Sequence, residues 1–193
     1  MKKKIAILGS TGSIGKTFLN ILKKDNNIDI LLLTVNKNIR ELLIQLKNFK
    51  VKNIIINDKK NFIKIKRILK NKKINVYNNY DSIDKIFKHT KIDYVLNAIS
   101  GLDGLSPTLN IIPFTKKIGI ANKESIICGW SLIQKKLIRY NTQFIPIDSE
   151  HFSIWSLIHN TKNFNIEKVF ITASGGPFNN LPLYKFNKIS VRQ

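Results

Sequence analysis

Cysteine occurs once in 193 residues, at Cys128. A single thiol excludes an internal disulfide and fits a reducing compartment. Long hydrophobic runs are missing as well, so nothing in the sequence is read as crossing a bilayer. The apolar stretch behind the N-terminal lysines, Ile5 to Gly9, is too short for a secretory core, and no cleavage pattern follows it. The expectation is a soluble, cytoplasmic protein with no membrane partner. Acidic residues are scarce: 12 Asp and Glu stand against 33 Lys and Arg, a formal charge of +21. Such an excess can mark a nucleic-acid binder, but there is no arginine-rich stripe and no interleaving of basic with aromatic residues. The densest basic segment, residues 59–74, reads as the solvated face of a surface helix. Lys, Asn and Ile are enriched together, which is a drift of composition rather than a patch. No specific nucleic-acid partner is expected, only nonspecific polyanion affinity at low salt.

What is present is an ordinary globular composition, 43% apolar. The length suffices for one substantial domain, or for one domain and part of another. Short apolar runs suit parallel strands buried on both faces: residues 4–8, 28–35, 51–58, 74–77, 92–99, 117–122 and 142–148. Between them lie segments of helical spacing: the run after the first glycines with Phe18, Leu19 and Leu22, then residues 38–49, the lysine-rich stretch, 82–89, 101–112 and 123–140. The alternation predicts an α/β fold, a Rossmann-like doubly wound parallel sheet over residues 1–148. From residue 149 the character changes. "SEHFSIWSLI" reads as a helix with Ser149 as its cap, and "KVFITASGGPF" as a strand and glycine turn. A second, incomplete α/β domain is expected over 149–193.

The first strand runs into "GSTGSIG". Gly9, Gly12 and Gly15 give a G-x-x-G-x-x-G pattern between a strand and a helix. Glycine lets the backbone turn sharply and approach a ligand, and the helix N-terminus offers N–H groups to a pyrophosphate. Thr11 and Ser13 add hydroxyls. A tight turn with no ligand is the plainer alternative. In an NAD site, Asp or Glu ends the second strand and binds the ribose 2′-hydroxyl. Here Asn36, Lys37 and Asn38 stand there, which favours a 2′-phosphate and thus NADP(H). Lys37 can also be an ordinary surface lysine.

"PIDSEH", residues 146–151, puts Asp148 and Glu150 two apart after an apolar run. In an extended segment both carboxylates face one side and can hold Mg²⁺ or Mn²⁺. The same residue types are also common at a helix N-terminus. Lys123 in "ANKES" could supply positive charge to an oxyanion or phosphate. Ser174 in "ASGGPF" could bind phosphate or simply turn. Cys128, Trp130 and Trp155 read as packing and His89 and His159 as surface. His151 stays ambiguous beside the acidic pair.

"ILGSTGSIG", "GLDGLSPTL", "ANKES", "PIDSEH" and "ASGGPF" occur in the order and spacing of one family. The sequence closely resembles 1-deoxy-D-xylulose 5-phosphate reductoisomerase over its whole length. The resemblance implies an NADPH-dependent oxidoreductase of the non-mevalonate isoprenoid route, which converts that phosphosugar to 2-C-methyl-D-erythritol 4-phosphate with Mg²⁺ or Mn²⁺, or Co²⁺. It implies NADPH contacts at Thr11, Gly12, Ser13, Ile14, Lys37, Asn38, Asn122 and Glu124, and metal ligation by Asp148 and Glu150. Substrate would meet Lys123, Ser149, Glu150 and Ser174, with Lys123 and Glu150 the catalytic pair. The metal would polarise the substrate oxygens, the skeleton would rearrange to an aldehyde, and NADPH would reduce it.

The sequence departs from the family at Phe152, where a smaller or polar residue is common, and at Asn36, where a glycine is common. The family also continues past the point matching Gln193, into a lid with a substrate His and Trp, a third metal-binding Glu and a helical C-terminal domain. The expectation is a fragment that binds NADPH with little activity alone. The alternative is an inactive nucleotide-binding or nonspecific polyanion-binding module. The family forms homodimers through its catalytic domain, much of which this chain lacks.

Overall fold

The β-branched residues that fill the apolar runs stiffen them into strands, and the polar breaks between runs release them into helices. The computed structural model describes residues 2–159, 166–170, 178 and 180–190. The strands are β1 (Lys3–Leu8), β2 (Ile28–Val35), β3 (Val51–Ile56), β4 (Asn75–Tyr77), β5 (Ile92–Asn97), β6 (Thr115–Ile120) and β7 (Gln143–Pro146). The helices are α1 (Ser13–Leu22), α2 (Ile39–Asn48), α3 (Lys59–Ile68), α4 (Ser82–Phe87), α5 (Leu105–Ile111), α6 (Lys123–Tyr140) and α7 (Ser149–His159). The chain divides into two compact units, Met1–Trp155 and Ser156–Gln193.

In the first unit the seven strands form one sheet in the order β4-β3-β2-β1-β5-β6-β7, with every neighbouring pair parallel. The order reverses between β1 and β5, and in such sheets the crevice past the carboxyl ends of those strands is where ligands bind. Alternation along the strands divides the core in two. Ile5 and Ile7 of β1 and Ile54 and Ile56 of β3 pack into one buried cluster with Leu19 of α1 and Leu42 of α2. Ala6 and Leu8 of β1 and Ile55 of β3 enter the other, with Ile83 and Phe87 of α4 and Ile133 and Leu137 of α6. Successive side chains of a strand point to opposite faces, so a helix layer on each face completes the burial.

The structure corrects several expectations. Residues 101–112 are not one helix: Gly101 has φ +72, Leu102–Gly104 form a 3₁₀ turn and α5 starts at Leu105. Cys128 is exposed rather than packed, because it falls on the solvent side of α6, where Ile127 is also exposed. Trp130 is packed on one edge only, against Phe144, and is 38% exposed. Residues 166–170 are irregular, so the expected strand does not begin at Lys168. Ser174, a candidate substrate contact, lies outside the described residues.

Candidate functional site

β1 delivers the chain to the crevice at Gly9. That residue has φ +79, and a Cβ on it would stand 2.8 Å from the Ala98 carbonyl oxygen at the end of β5. Gly15 is equally constrained, since its Cβ would meet the Gly9 carbonyl oxygen at 2.5 Å. Gly12 differs. Its φ is −74, and a Cβ there would come no closer than 3.6 Å to anything. The chain itself therefore requires glycine at 9 and 15, whereas Gly12 leaves its space to something from outside.

Gly12 is also the N-cap of α1, and no side chain caps that helix. By contrast, Asn38, Asp58 and Asn122 cap α2, α3 and α6 by accepting from the backbone N–H of Glu41, Asn61 and Ser125. The first turn of α1 also carries no acid. Its N–H groups and the positive end of its dipole are left for an anion. The cleft beside it has a volume of about 560 Å³ and is lined by Gly9, Thr11, Gly12, Asn36, Tyr80 and Asp103, among others. Ser13 and Ile14 are exposed in the first turn of α1. These features fit a dinucleotide pyrophosphate.

The loop is braced by residues that carry no motif. Ser10 is fully buried; its hydroxyl donates to Gln45 Oε1 at 2.8 Å, and Gln45 Nε2 donates to the Ser10 carbonyl at 2.9 Å. The Gly9 N–H donates to Thr34 Oγ1 at 2.9 Å. Tyr80 lines the same cleft as Thr34, and burial pushes its phenol pKa up. The one sequence signal for this brace is Gln45, a polar residue flanked by Leu42, Leu43 and Leu46.

Lys37 and Asn38 follow β2, both exposed. Asn38 Oδ1 accepts from Glu41 N–H at 3.1 Å, so this side chain caps α2. The Lys37 carbonyl accepts from Ile39 N–H at 2.9 Å and Asn61 Nδ2 at 3.4 Å. On β6's far end, Asn122 is buried. Its Oδ1 caps α6 through Ser125 N–H at 2.8 Å, and its Nδ2 donates to the carbonyls of Ile99 and Gly101. Glu124 is exposed in the first turn of α6.

A second cluster follows β7. The strand ends at Pro146, so Asp148 and Glu150 are not in an extended segment. The cap of α7 is Asp148, not Ser149: Asp148 Oδ1 accepts from His151 N–H at 2.8 Å. His151 Nδ1 lies 2.9 and 3.0 Å from the two carboxylate oxygens of Asp148. Glu150 Oε2 accepts from Lys123 Nζ at 3.1 Å and from Ser149 Oγ at 3.0 Å. Its own N–H, then Lys123 and Ser149, lower the Glu150 pKa from 4.5 to about 2, and Glu150 raises that of Lys123. Lys123, Ser149 and Glu150 are thus brought together, with Asp148 adding negative charge near Lys123. Two carboxylates offer the hard oxygen donors that Mg²⁺ and Mn²⁺ prefer. No group of three or more His, Cys, Asp or Glu placed to hold a metal occurs among the described residues. Phe152 packs on Trp155, ring centroids 5.7 Å apart.

Comparison with known proteins gives one answer. The sequence model of 1-deoxy-D-xylulose 5-phosphate reductoisomerase matches residues 5–129, and that of its C-terminal domain matches residues 144–193. The reductoisomerase of Pelagibacter ubique is 61% identical over 98% of this chain and 50% of its own length. That of Bacteroides thetaiotaomicron is 35% identical over 100% of this chain and 50% of its own. Among solved structures, the Zymomonas mobilis reductoisomerase in complex with NADPH superposes with TM-score 0.71 at 28% identity, covering 78% of this chain and 40% of that one. A reductoisomerase solved with NADPH, fosmidomycin and magnesium gives 0.76 at 29% identity, covering 98% and 50%. The chain spans about half the length of the curated relatives it matches, and it belongs to the 1-deoxy-D-xylulose 5-phosphate reductoisomerase family.

Proposed function

We propose that this chain carries the cofactor half, and part of the metal and substrate site, of an enzyme that isomerises and reduces 1-deoxy-D-xylulose 5-phosphate to 2-C-methyl-D-erythritol 4-phosphate. In this proposal residues 1–148 hold NADPH and residues 149–193 open the catalytic part. The observation that carries it is the uncapped N-terminus of α1 beside Gly12, whose missing Cβ the chain itself does not require.

The N–H groups of Ser13 and Ile14, with the hydroxyls of Thr11 and Ser13, would hold the pyrophosphate. Lys37 would meet the 2′-phosphate through its ammonium, with Asn38 beside it. Asn122 and Glu124 would stand near the cofactor at the start of α6. Bound NADPH supplies hydride, and a divalent cation supplies Lewis acidity. Asp148 and Glu150 would hold Mg²⁺ or Mn²⁺, with Co²⁺ a third choice. Lys123 donates to Glu150, and its ammonium would neutralise oxygen charge on the substrate. Ser149, and Ser174 beyond the described residues, complete the proposed phosphosugar contacts. A homodimer of the whole enzyme, rather than of this fragment, and a cytoplasmic location belong to the same proposal; no described helix is long and apolar enough to cross a membrane.

The test is titration of this chain with NADPH and with NADH by nucleotide fluorescence, with and without Mn²⁺. Micromolar NADPH binding with much weaker NADH binding supports the reading. Equal binding of both removes the 2′-phosphate role of Lys37. No binding of either overturns the cofactor assignment.

A further inference from the structure

One wall of the cleft is the segment after β5, where Ala98, Ile99, Ser100 and Leu102 line the space. The segment belongs to no regular element between Asn97 and the turn at Leu102. Gly101 there has φ +72, and a Cβ on it would touch nothing within 4 Å. Packing against Gly101 therefore does not fix the segment. Ile99 packs on the core and Ala98 N–H donates to the Leu8 carbonyl, and side-chain hydrogen bonds hold the rest. Asn97 Oδ1 accepts from Ile99 N–H at 3.1 Å, and its Nδ2 donates to the Gly104 carbonyl at 3.0 Å. From the other side Asn122 Nδ2 donates to the carbonyls of both Ile99 and Gly101.

Both protons of the Asn122 amide are thus engaged, and Oδ1 is engaged with Ser125 N–H. An Asn side chain has two donors and one carbonyl acceptor. Gly104 completes the arrangement, since a Cβ there would stand 2.5 Å from Asn122 Nδ2. Asn122 therefore makes the two-point tie between the cleft wall and the start of α6, where Lys123 begins, with the Ser125 hydroxyl adding a longer bond to the Gly101 carbonyl at 3.5 Å.

We propose that Asn122 is a positioning residue for the dinucleotide: its side chain acts by tying Ile99 and Gly101 to the α6 N-terminus rather than by touching the cofactor. The consequence for NADPH rests on the function proposed above; the tie itself does not.

Asn122→Asp separates the two jobs of this side chain. A carboxylate still accepts from Ser125 N–H and caps α6, but it has no proton for the two carbonyls and repels both. Gly104→Ala attacks the same tie from the loop side by displacing Nδ2. Two readouts are taken on the 193-residue chain well below its melting temperature. The first is amide hydrogen exchange of residues 98–104 without cofactor, where both variants are expected to exchange faster while α6 keeps its protection. The second is NADPH titration, where both variants are expected to bind about tenfold more weakly at unchanged stoichiometry. A variant that is merely unstable would weaken the apparent dissociation constant only by the inverse of its folded fraction, which a melt recorded beside the titration measures. A tenfold loss in a variant that is fully folded at the titration temperature is not accounted for that way. Unchanged exchange at 98–104 in either folded variant overturns the tie. Faster exchange with wild-type NADPH affinity overturns the positioning role. Failure of the wild-type chain to bind NADPH overturns the cofactor assignment, and the exchange result still decides the tie. If Asn122→Asp does not fold, Gly104→Ala decides both points.

Discussion

Single residues separate what the fold needs from what a ligand needs. Gly9→Ala and Gly15→Ala place a methyl against backbone that cannot yield, and Gly9 adds a left-handed φ. Each is expected to cost about 2–4 kcal/mol of stability. Gly12→Ala fits the backbone and the available space, so its melting temperature should match wild type while NADPH binding is lost; calorimetry and fluorescence titration check the pair. Glu150 shows a second separation. Its pKa is depressed from 4.5 to about 2, so the stabilising effect of its bonds is complete above about pH 4.5 and is lost as pH falls through about 2. The Lys123 pKa is raised above 10.5 by the same contact, so on that side the effect is lost only in strong alkali. Carboxyl NMR should show Glu150 titrating near 2, and Lys123→Ala should move its midpoint up toward 4.5. A midpoint that stays put in Lys123→Ala would mean the ion pair is not formed in solution.

Elements were far more legible than the contacts between them. Periodicity located the seven strands of the described residues and, apart from residues 101–112, the helices around them, because a buried parallel strand must be apolar throughout and a half-buried helix must be apolar on one side. The glycine loop was legible for the same reason, since it sits where strand gives way to helix. The geometry at Asp148 was not. Two carboxylates two apart look alike in an extended segment and in a cap followed by a first turn, and only the end of β7 at Pro146 decides between them. The brace from α2 was hidden too, because Gln45 and Ser10 are 35 residues apart and nothing local joins them. That brace ties α2 to the glycine loop of the proposed cofactor site. Gln45→Ala removes the side-chain donor to the buried Ser10 carbonyl and leaves the Ser10 hydroxyl with only its longer bond to the Thr34 carbonyl, at 3.3 Å. It is expected to cost about 2 kcal/mol in denaturant melts and to weaken NADPH binding. Gln45→Glu keeps an acceptor for the hydroxyl but faces the Ser10 carbonyl, so it should rescue neither effect.

At the scale of the whole molecule, the charge of +21 and the proposed cofactor cleft would both attract phosphate, and they must be told apart. Diffuse charge acts through the summed field and fades as salt rises, with a Debye length of about 10 Å at 0.1 M. The 2′-phosphate proposal instead puts one ammonium, that of Lys37, against one group of one ligand. Lys37 directly follows Asn36, which lines the cleft, whereas the lysines of α3 lie further along the chain and contribute to the field. Two variants divide the effects. Lys37→Ala should bring NADPH affinity down toward that for NADH, with a loss of about tenfold or more if the contact is made, while heparin retention barely changes. Replacing Lys64 and Lys66 of α3 together with Gln should do the reverse, eluting from heparin at lower salt with NADPH discrimination intact. If both variants lose NADPH preference equally, the discrimination belongs to the net charge, and the strand-end residues do not read the 2′-phosphate. If neither changes it, the preference comes from the absence of a carboxylate after β2. Asn36→Asp should then convert the chain toward NADH, because a carboxylate there repels the 2′-phosphate and accepts from the free ribose hydroxyls.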